Sequence, residues 1–196
     1  PSIWSAEDAV MLNVDLKNID QLTVSIYALD SLRYMEKTGK AIDDDLDLSS
    51  LIPNISRTID TKKSPFLRHR SALQLPELEG LGCWVVEVHG NGQRATALVR
   101  KGELHHSTRD TGQGQEIFVS DYNGNPLKGV LAVIDGKKQI TDENGTVTVP
   151  YSGYAKRASA YLHRPSLNGE NGITRKIHFD RKKATPALDL SIISHP

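Results

Sequence analysis

Hydrophobic and polar residues alternate in short stretches along most of this chain, a pattern typical of β-strands that turn one face to a core and the other to water. Residues 10–17 alternate in this way, and residues 22–28 do so again after the polar turn Asn18-Ile19-Asp20. Because two strands joined by a short polar turn usually pair with each other, we expect these two stretches to form a hairpin.

A second hairpin is predicted in the middle of the chain. Cys83–Val88 and Arg94–Arg100 are both rich in strand-forming residues, and Gly90–Gln93 between them contains an Asn-Gly pair. Such pairs favour tight turns because Gly adopts positive φ at no steric cost and Asn tolerates it.

The stretch from Glu116 to Tyr151 predicts three short strands joined by two tight turns. The turns are expected at Asp121–Pro126 and Asp142–Gly145, each of which contains an Asn-Gly pair. Residues 130–134 are apolar on both faces, so this strand is expected to be buried on both sides. Residues 146–149 alternate Thr with Val, which predicts a strand with one face in water.

Three further strands are predicted after this stretch, each from a set of alternating apolar residues. The three sets are Ala158, Ala160 and Leu162; Ile173, Ile177 and Phe179; and Leu188, Leu190 and Ile192.

One short segment predicts a helix instead. Residues 30–37 contain good helix formers, they begin with Asp and Ser, which can cap a helix N-terminus, and Gly39 stands where a helix would end. We expect one or two helical turns there.

Two polar segments are predicted to be irregular. Residues 53–72 are expected to form a long loop inside the first domain, and residues 101–114 a linker between domains. The fold class predicted is therefore all-β, with two tandem immunoglobulin-like or macroglobulin-like β-sandwiches at residues 1–112 and 113–196 and a short helical turn in the first.

Composition and charge exclude some classes of protein. The formal net charge is zero, with a small acidic excess before residue 112 and a small basic excess after it. This balance lacks the strong basic bias of a nucleic-acid-binding surface. No apolar run approaches the length of a membrane span, so we expect no membrane contact from this chain. Since the chain begins at Pro1, we expect a processed or excised part of a longer protein.

The single cysteine, Cys83, stands in a Gly82-Cys83-Trp84 sequence that echoes papain-like proteases. In those enzymes the cysteine opens a helix, whose N-terminus lowers the pKa of the thiol. Here a strand-forming Val-Val-Glu-Val sequence follows, so we expect a buried, inert thiol, with Cys83 or Trp84 in the core of the first domain.

Two acidic clusters and one histidine pair are candidate metal sites. Carboxylates bind calcium, but the run Asp43, Asp44, Asp45 and Asp47 lacks the Gly and the distal Glu of a known calcium loop. Asp121, Asn123 and Asn125 copy the start of such a loop, yet Pro126 occupies the position of its Gly. Both segments are interpreted as turns. The adjacent His105 and His106 would point to opposite faces of a strand and would not share a metal.

No nucleophile and base stand at a spacing typical of an enzyme, and no phosphate-binding loop is present. We therefore predict no catalytic, cofactor-binding or metal-binding residue and no cofactor.

Several segments together resemble the macroglobulin domains of bacterial alpha-2-macroglobulin-like proteins. Leu16–Asp30 resembles a hairpin of that family that ends in Tyr-x-x-Asp, and Gly82–Arg100 resembles its closing hairpin. Phe118–Asp121 with Gly124–Leu127 and Thr141–Gly145 is similar to the opening of a following domain. The resemblance covers about residues 8–193. Cys83 and Trp84 depart from the Gly-x-Tyr-x-Val-Glu that is usual in the closing hairpin.

The resemblance implies non-catalytic structural domains of a protease inhibitor in the bacterial periplasm or cell envelope. Its implied partners are other domains of the same full-length chain and, through the full-length protein, target proteases. The covalent trap of this family uses a thioester in a Cys-x-Glu-Gln motif, which is absent because Val86 stands three residues after Cys83.

Two alternatives remain open. The Gly-x-Pro-Leu and Thr-Asp-x-x-Gly patterns also occur in transthyretin-like and invasin-like modules. The chain would then be an envelope adhesion or ligand-binding module built from transthyretin-like or immunoglobulin-like domains. The third possibility is an enzyme whose site the sequence does not reveal.

Overall fold

The fold is known from a computed structural model, which describes residues 3–42, 46–61, 68–154, 156–166 and 171–183. The described residues form mainly antiparallel β-sheets, with one parallel pair between the first and seventh strands, and a single short helix. The predicted all-β fold of tandem β-sandwiches with a short helical segment is therefore confirmed.

The first sandwich contains seven strands and the helix. A five-stranded sheet in the order β1-β7-β6-β3-β4 faces a two-stranded sheet of β2 and β5. Trp84, Leu75 and Val24 are buried between them. The elements are β1 (Ile3–Trp4), β2 (Met11–Leu16), β3 (Gln21–Ala28), α1 (Ser31–Thr38), β4 (Ile55–Asp60), β5 (His69–Gln74), β6 (Gly82–Gly90) and β7 (Gln93–Lys101).

The first predicted hairpin is wrong in its pairing, although both of its strands exist. β2 pairs with β5, whereas β3 pairs with β4 and β6 in the other sheet. The turn between β2 and β3 contains Asn18, whose φ is 58°. This turn therefore carries the chain from one sheet to the other. Leu16 and Leu22 belong to the same buried cluster, so the two strands turn their apolar faces towards one core from opposite sides.

The second predicted hairpin is confirmed. β6 and β7 pair antiparallel from Gly82 opposite Lys101 to Gly90 opposite Gln93. The turn contains Asn91 and Gly92, both with positive φ, as expected of the Asn-Gly pair.

The predicted helix is confirmed as α1. The Arg33 backbone N–H donates to the Asp30 side chain at 2.9 Å, which caps the N-terminus. Gly39 ends the helix in a left-handed conformation with φ 69°, and its N–H donates to Met35 O at 2.8 Å. Met35 is buried, so the helix packs on the protein through one face.

The prediction of an irregular loop at residues 53–72 is wrong in part. β4 pairs along its length with β3, and β5 pairs with β2. β4 is the outer strand of its sheet and has no buried position, so its sequence lacks the apolar alternation that marks a half-buried strand. Residues 62–67 lie outside the described part of the chain.

The second sandwich packs a three-stranded sheet, in the order β12-β9-β8, on a four-stranded sheet, in the order β11-β10-β13-β14. Ile117, Leu162 and Ile177 are fully buried between them. The strands are β8 (His105–Thr111), β9 (Gly114–Ser120), β10 (Leu131–Ile134), β11 (Lys137–Ile140), β12 (Thr146–Val149), β13 (Lys156–Pro165) and β14 (Gly172–Arg181).

The predictions for the second half are confirmed in most positions. Asp121–Pro126 and Asp142–Gly145 are turns, and residues 146–149 form a strand. β10 is buried chiefly on one face, not on both. A hairpin from β10 to β11 through Asp135 and Gly136, both with positive φ, was not predicted. The strand predicted at Leu188, Leu190 and Ile192 lies outside the described residues.

The prediction of a polar linker at residues 101–114 is wrong. β8 occupies most of this segment and pairs with β9 from His105 opposite Ser120 to Thr111 opposite Gly114. Four of the seven β8 residues are exposed and none is fully buried, which explains why its sequence resembles a linker. The short connection between the strands of the two sandwiches is residues 102–104.

Candidate functional site

The junction between the two sandwiches is built around the first turn of α1 and the start of β14. β14 is the outer strand of its sheet, and such a strand presents backbone groups without a strand partner. The Ser31 hydroxyl donates to the backbone oxygen of Gly172 at 2.8 Å, and Ser31 is only 5% exposed. The helix therefore covers this edge and satisfies one of its carbonyl groups.

A second polar contact joins β6 to the residue before β14. The Asn171 side-chain oxygen accepts hydrogen bonds from the backbone N–H of Cys83 at 2.9 Å and from that of Gly172 at 2.8 Å. A Cβ at Gly82 would lie 2.4 Å from Asn171 Nδ2 and 2.5 Å from the Trp84 ring. Glycine is therefore required for this close approach.

Apolar and charged side chains extend the junction. Leu81 packs against the core of the second sandwich. Lys176 donates from Nζ to Gly39 O at 3.1 Å, just beyond the helix end. The Lys138–Glu36 ion pair, at 3.8 Å, is largely exposed and contributes little stability. The buried hydrogen bond of Ser31 and the partly buried hydrogen bonds of Asn171 are therefore the specific contacts of the junction.

A histidine of the second sandwich is hydrogen-bonded to the same group of residues. His163 Nδ1 is 2.9 Å from Thr174 Oγ1, which in turn is 2.8 Å from Ser31 Oγ. Burial lowers the pKa of His163, although the nearby Asp30 and Glu36 carboxylates act in the opposite direction. A neutral imidazole is therefore favoured at the junction.

Two clefts flank the junction. One has a volume of about 490 Å³ and lies between α1, the residues after it and β14. The other has a volume of about 350 Å³ and is lined by residues that include Trp4, Tyr122 and Arg164. The larger cleft lies within the usual size range of small-molecule binding sites.

Cys83 and Trp84 lie on β6 as predicted, and both are buried, Cys83 at 2% and Trp84 at 6% exposure. Trp84 lies between the two sheets, whereas Cys83 lies on the opposite face of β6 with Tyr27 and Ile42. Burial raises the pKa of the Cys83 thiol to about 11, despite the nearby Arg100 guanidinium. A thiol in this state is a poor nucleophile.

The predicted turns at the acidic clusters are found where the structure describes them. Asp47 accepts a hydrogen bond from the backbone N–H of Ser49 at 2.9 Å, and Asp43, Asp44 and Asp45 lie outside the described residues. Asp121 accepts one from the backbone N–H of Asn125 at 2.8 Å, which closes its turn.

The two adjacent histidines have separate environments on β8. His105 Nε2 is 2.7 Å from a Glu103 carboxylate oxygen. Burial, helped by the charge of Arg175, lowers the pKa of His106. Across the described ranges, no three His, Cys, Asp or Glu side chains are grouped so that they could hold a metal ion. In the same part of the chain, no helix has the length and apolar character needed to cross a bilayer.

Sequence reasoning missed the residues that form the junction. Ser31 follows the helix cap, Asn171 belongs to a glycine-rich stretch, and Thr174 follows that stretch on β14. Short polar residues are common at caps and turns. Their role depends on contacts between distant segments, because the partners of Ser31 lie about 140 residues away and Asn171 lies 88 residues from Cys83.

A family model and a curated relative each match part of this chain. The family model of the AbpF first immunoglobulin-like domain matches residues 22–102, which include β3 to β7. Actin-binding protein F of Dictyostelium discoideum is 25% identical over 161 residues, which make up 81% of this chain and 7% of that protein. The chain therefore spans a small part of that relative's length.

Two solved structures similar to this chain are of native alpha-2-macroglobulin from Escherichia coli. The one spanning domains MG0, NIE and MG1 is 17% identical, with a TM-score of 0.47, over 85% of this chain and 57% of that chain. The one spanning NIE and MG1 is 14% identical, with a TM-score of 0.45, over 88% of this chain and 90% of that chain.

Proposed function

We propose that this chain is a non-catalytic structural part of a longer, multidomain protein, in which it holds two β-sandwich domains in one relative orientation. The buried hydrogen bond from Ser31 to the backbone of Gly172 carries this proposal. A buried polar group that loses its partner costs free energy, so separation of the domains is opposed at this point. In this proposal the covalent connection between the two domains is residues 102–104.

The longer protein we propose is an alpha-2-macroglobulin-like protease inhibitor of the bacterial periplasm or cell envelope. The sequence segments Leu16–Asp30 and Gly82–Arg100 support this, because they resemble segments of that family's macroglobulin domains. The partners of this chain would be neighbouring domains of the same protein, and proteases would be captured by the whole molecule.

A second candidate function is that of a binding or adhesion module in an array of immunoglobulin-like domains. The match of residues 22–102 to the AbpF first immunoglobulin-like domain favours it. The relative that shares this similarity is called an actin-binding protein, so actin filaments are the ligand to test first.

The full-length protein distinguishes the two candidates. It is incubated with trypsin, and cleavage of a large protein substrate is compared with cleavage of a small chromogenic one. A trap should suppress the first and spare the second, because it encloses the protease without blocking the active site. Equal cleavage of both substrates, at the rate of free trypsin, would contradict the inhibitor proposal. Sedimentation of the same protein with actin filaments would then favour the second candidate.

A further inference from the structure

The larger cleft at the junction has an apolar floor. Met35 from α1, Ile42 beyond it, Leu104 before β8 and Ile173 on β14 line it, and each is at most 7% exposed. Burial of a ligand's apolar surface against such side chains is favourable, by about 25 cal/mol per Å². The floor therefore suits a hydrocarbon body.

Three cationic side chains line the same cleft. Each donates a hydrogen bond to a backbone oxygen: Arg100 to Ile42, Arg175 to Leu104, and Lys176 to Gly39.

Among the residues that the structure describes, no carboxylate forms an ion pair with any of these three cations. The lining carboxylate of Glu103 is 2.7 Å from His105 instead. The cleft therefore combines an apolar floor with three cationic side chains that form no ion pair with a described carboxylate.

We propose that this cleft binds a small aliphatic monocarboxylate, with its hydrocarbon body on the floor and its carboxylate among Arg100, Arg175 and Lys176. Hydrogen bonds between cationic donors and a carboxylate are stronger than those between neutral groups. Because the floor is apolar, an inorganic anion should bind this cleft less tightly than an aliphatic carboxylate. Because the lining is cationic, an alkyl ammonium ion should not bind. The site goes beyond the structural role proposed above and does not depend on the identity of the longer protein.

A titration with three probes tests the proposal. Octanoate, acetate and octylammonium are added separately to the ¹⁵N-labelled chain, and backbone amide shifts are followed. Octanoate should shift amides of α1, residues 102–105 and the start of β14, acetate should bind far more weakly, and octylammonium should leave these amides unchanged. Equal effects of octanoate and octylammonium would overturn the proposal. So would octanoate shifts that are no larger around the cleft than in strands remote from it, or no octanoate shift up to about 10 mM.

Matched variants locate the carboxylate. Arg175 and Lys176 are exposed, so the double substitution Arg175→Gln and Lys176→Gln should leave the fold intact, as its circular dichroism spectrum would verify. It should weaken octanoate binding about tenfold, or about 1.4 kcal/mol. Arg157→Gln removes an exposed positive charge outside the cleft and should leave the affinity unchanged. Equal weakening by both variants would show only a general charge effect and would overturn the assigned site.

Cys83 gives an independent readout because it lines the same cleft. Saturating octanoate should slow the reaction of native Cys83 with a neutral maleimide severalfold, whereas octylammonium at the same concentration should not. An unchanged rate with octanoate bound would place the ligand elsewhere.

Discussion

The hydroxyl oxygen of Ser31, at the start of α1, lies 2.8 Å from that of Thr174 on β14. Ser31 also donates to Gly172 O, and Thr174 contacts His163 Nδ1 at 2.9 Å. A continuous row of hydrogen-bonding groups therefore runs from the helix of the first sandwich into the second. Loss of any one of these groups should therefore lower the stability of both domains.

Ser31→Ala should lower the free energy of unfolding by about 1–2 kcal/mol, because Gly172 O loses its donor at a buried position. Urea unfolding measures this change. Ser107→Ala, at an exposed position of β8, is the control and should change stability by less than about 0.5 kcal/mol. Equal stability of the Ser31 variant and the wild-type chain would contradict the assigned role of this hydroxyl.

The Ser31–Thr174 contact itself can be isolated by a double-mutant cycle with Thr174→Val. The two substitutions should be non-additive by about 0.5 kcal/mol or more, since the residues are in direct contact. Strict additivity would show that the two hydroxyls stabilise the protein independently.

Stability should fall as the pH decreases below about 6.5, the ordinary pKa of histidine. Burial lowers the pKa of His163 in the folded chain, so the unfolded chain binds a proton there before the folded chain does. The contribution is fully present above pH 7 and is lost as the pH falls through the folded-state pKa.

His163→Gln should reduce the slope of stability against pH between about pH 7 and 5. His178→Gln is the control, because His178 is exposed on the same strand as Thr174. The measurement is urea unfolding at several pH values, and an unchanged slope in the His163 variant would rule out this residue as a source of the acid sensitivity.

Cys83 should react slowly with a thiol reagent in the native state and rapidly after unfolding, because burial raises its pKa to about 11. Cys83→Ala should cost about 1–2 kcal/mol of stability, since the side chain fills a packed position beside Tyr27 and Ile42. A native reaction rate close to that of the unfolded chain would contradict the buried position.

Trypsin should spare Arg57, Arg70 and Arg109 in the native chain. All three lie within paired strands, and Arg109 is also bonded to Glu116 at 2.6 Å. Mass spectrometry of the earliest fragments tests this, with the urea-treated chain as a control that should be cut at all three. Early native cleavage after Arg109 would contradict the assignment of this segment to β8 and would support the interdomain linker predicted from the sequence.

The elements that sequence reasoning located are those whose local signals agree with the fold. α1 has its cap at Asp30 and its stop at Gly39, and the hairpin of β6 and β7 has its Asn-Gly turn, so each is specified by neighbouring residues. These features depend little on the rest of the chain.

The elements that it missed depend on distant contacts. β8 has no fully buried residue, and it is a strand because it pairs with β9. β2 and β3 show clean alternation, but alternation does not distinguish a neighbour in the same sheet from one across the core. The junction at Ser31 was missed for the same reason, because its partners lie about 140 residues away.

Residual dipolar couplings of the backbone N–H groups, measured in a weakly aligning medium, test most directly whether the two sandwiches are held in one orientation. We predict that a single alignment tensor fits the couplings of β3 and β6 together with those of β13 and β14. Two tensors of clearly different magnitude or orientation would show that the sandwiches move independently, which would contradict the structural role proposed for this chain.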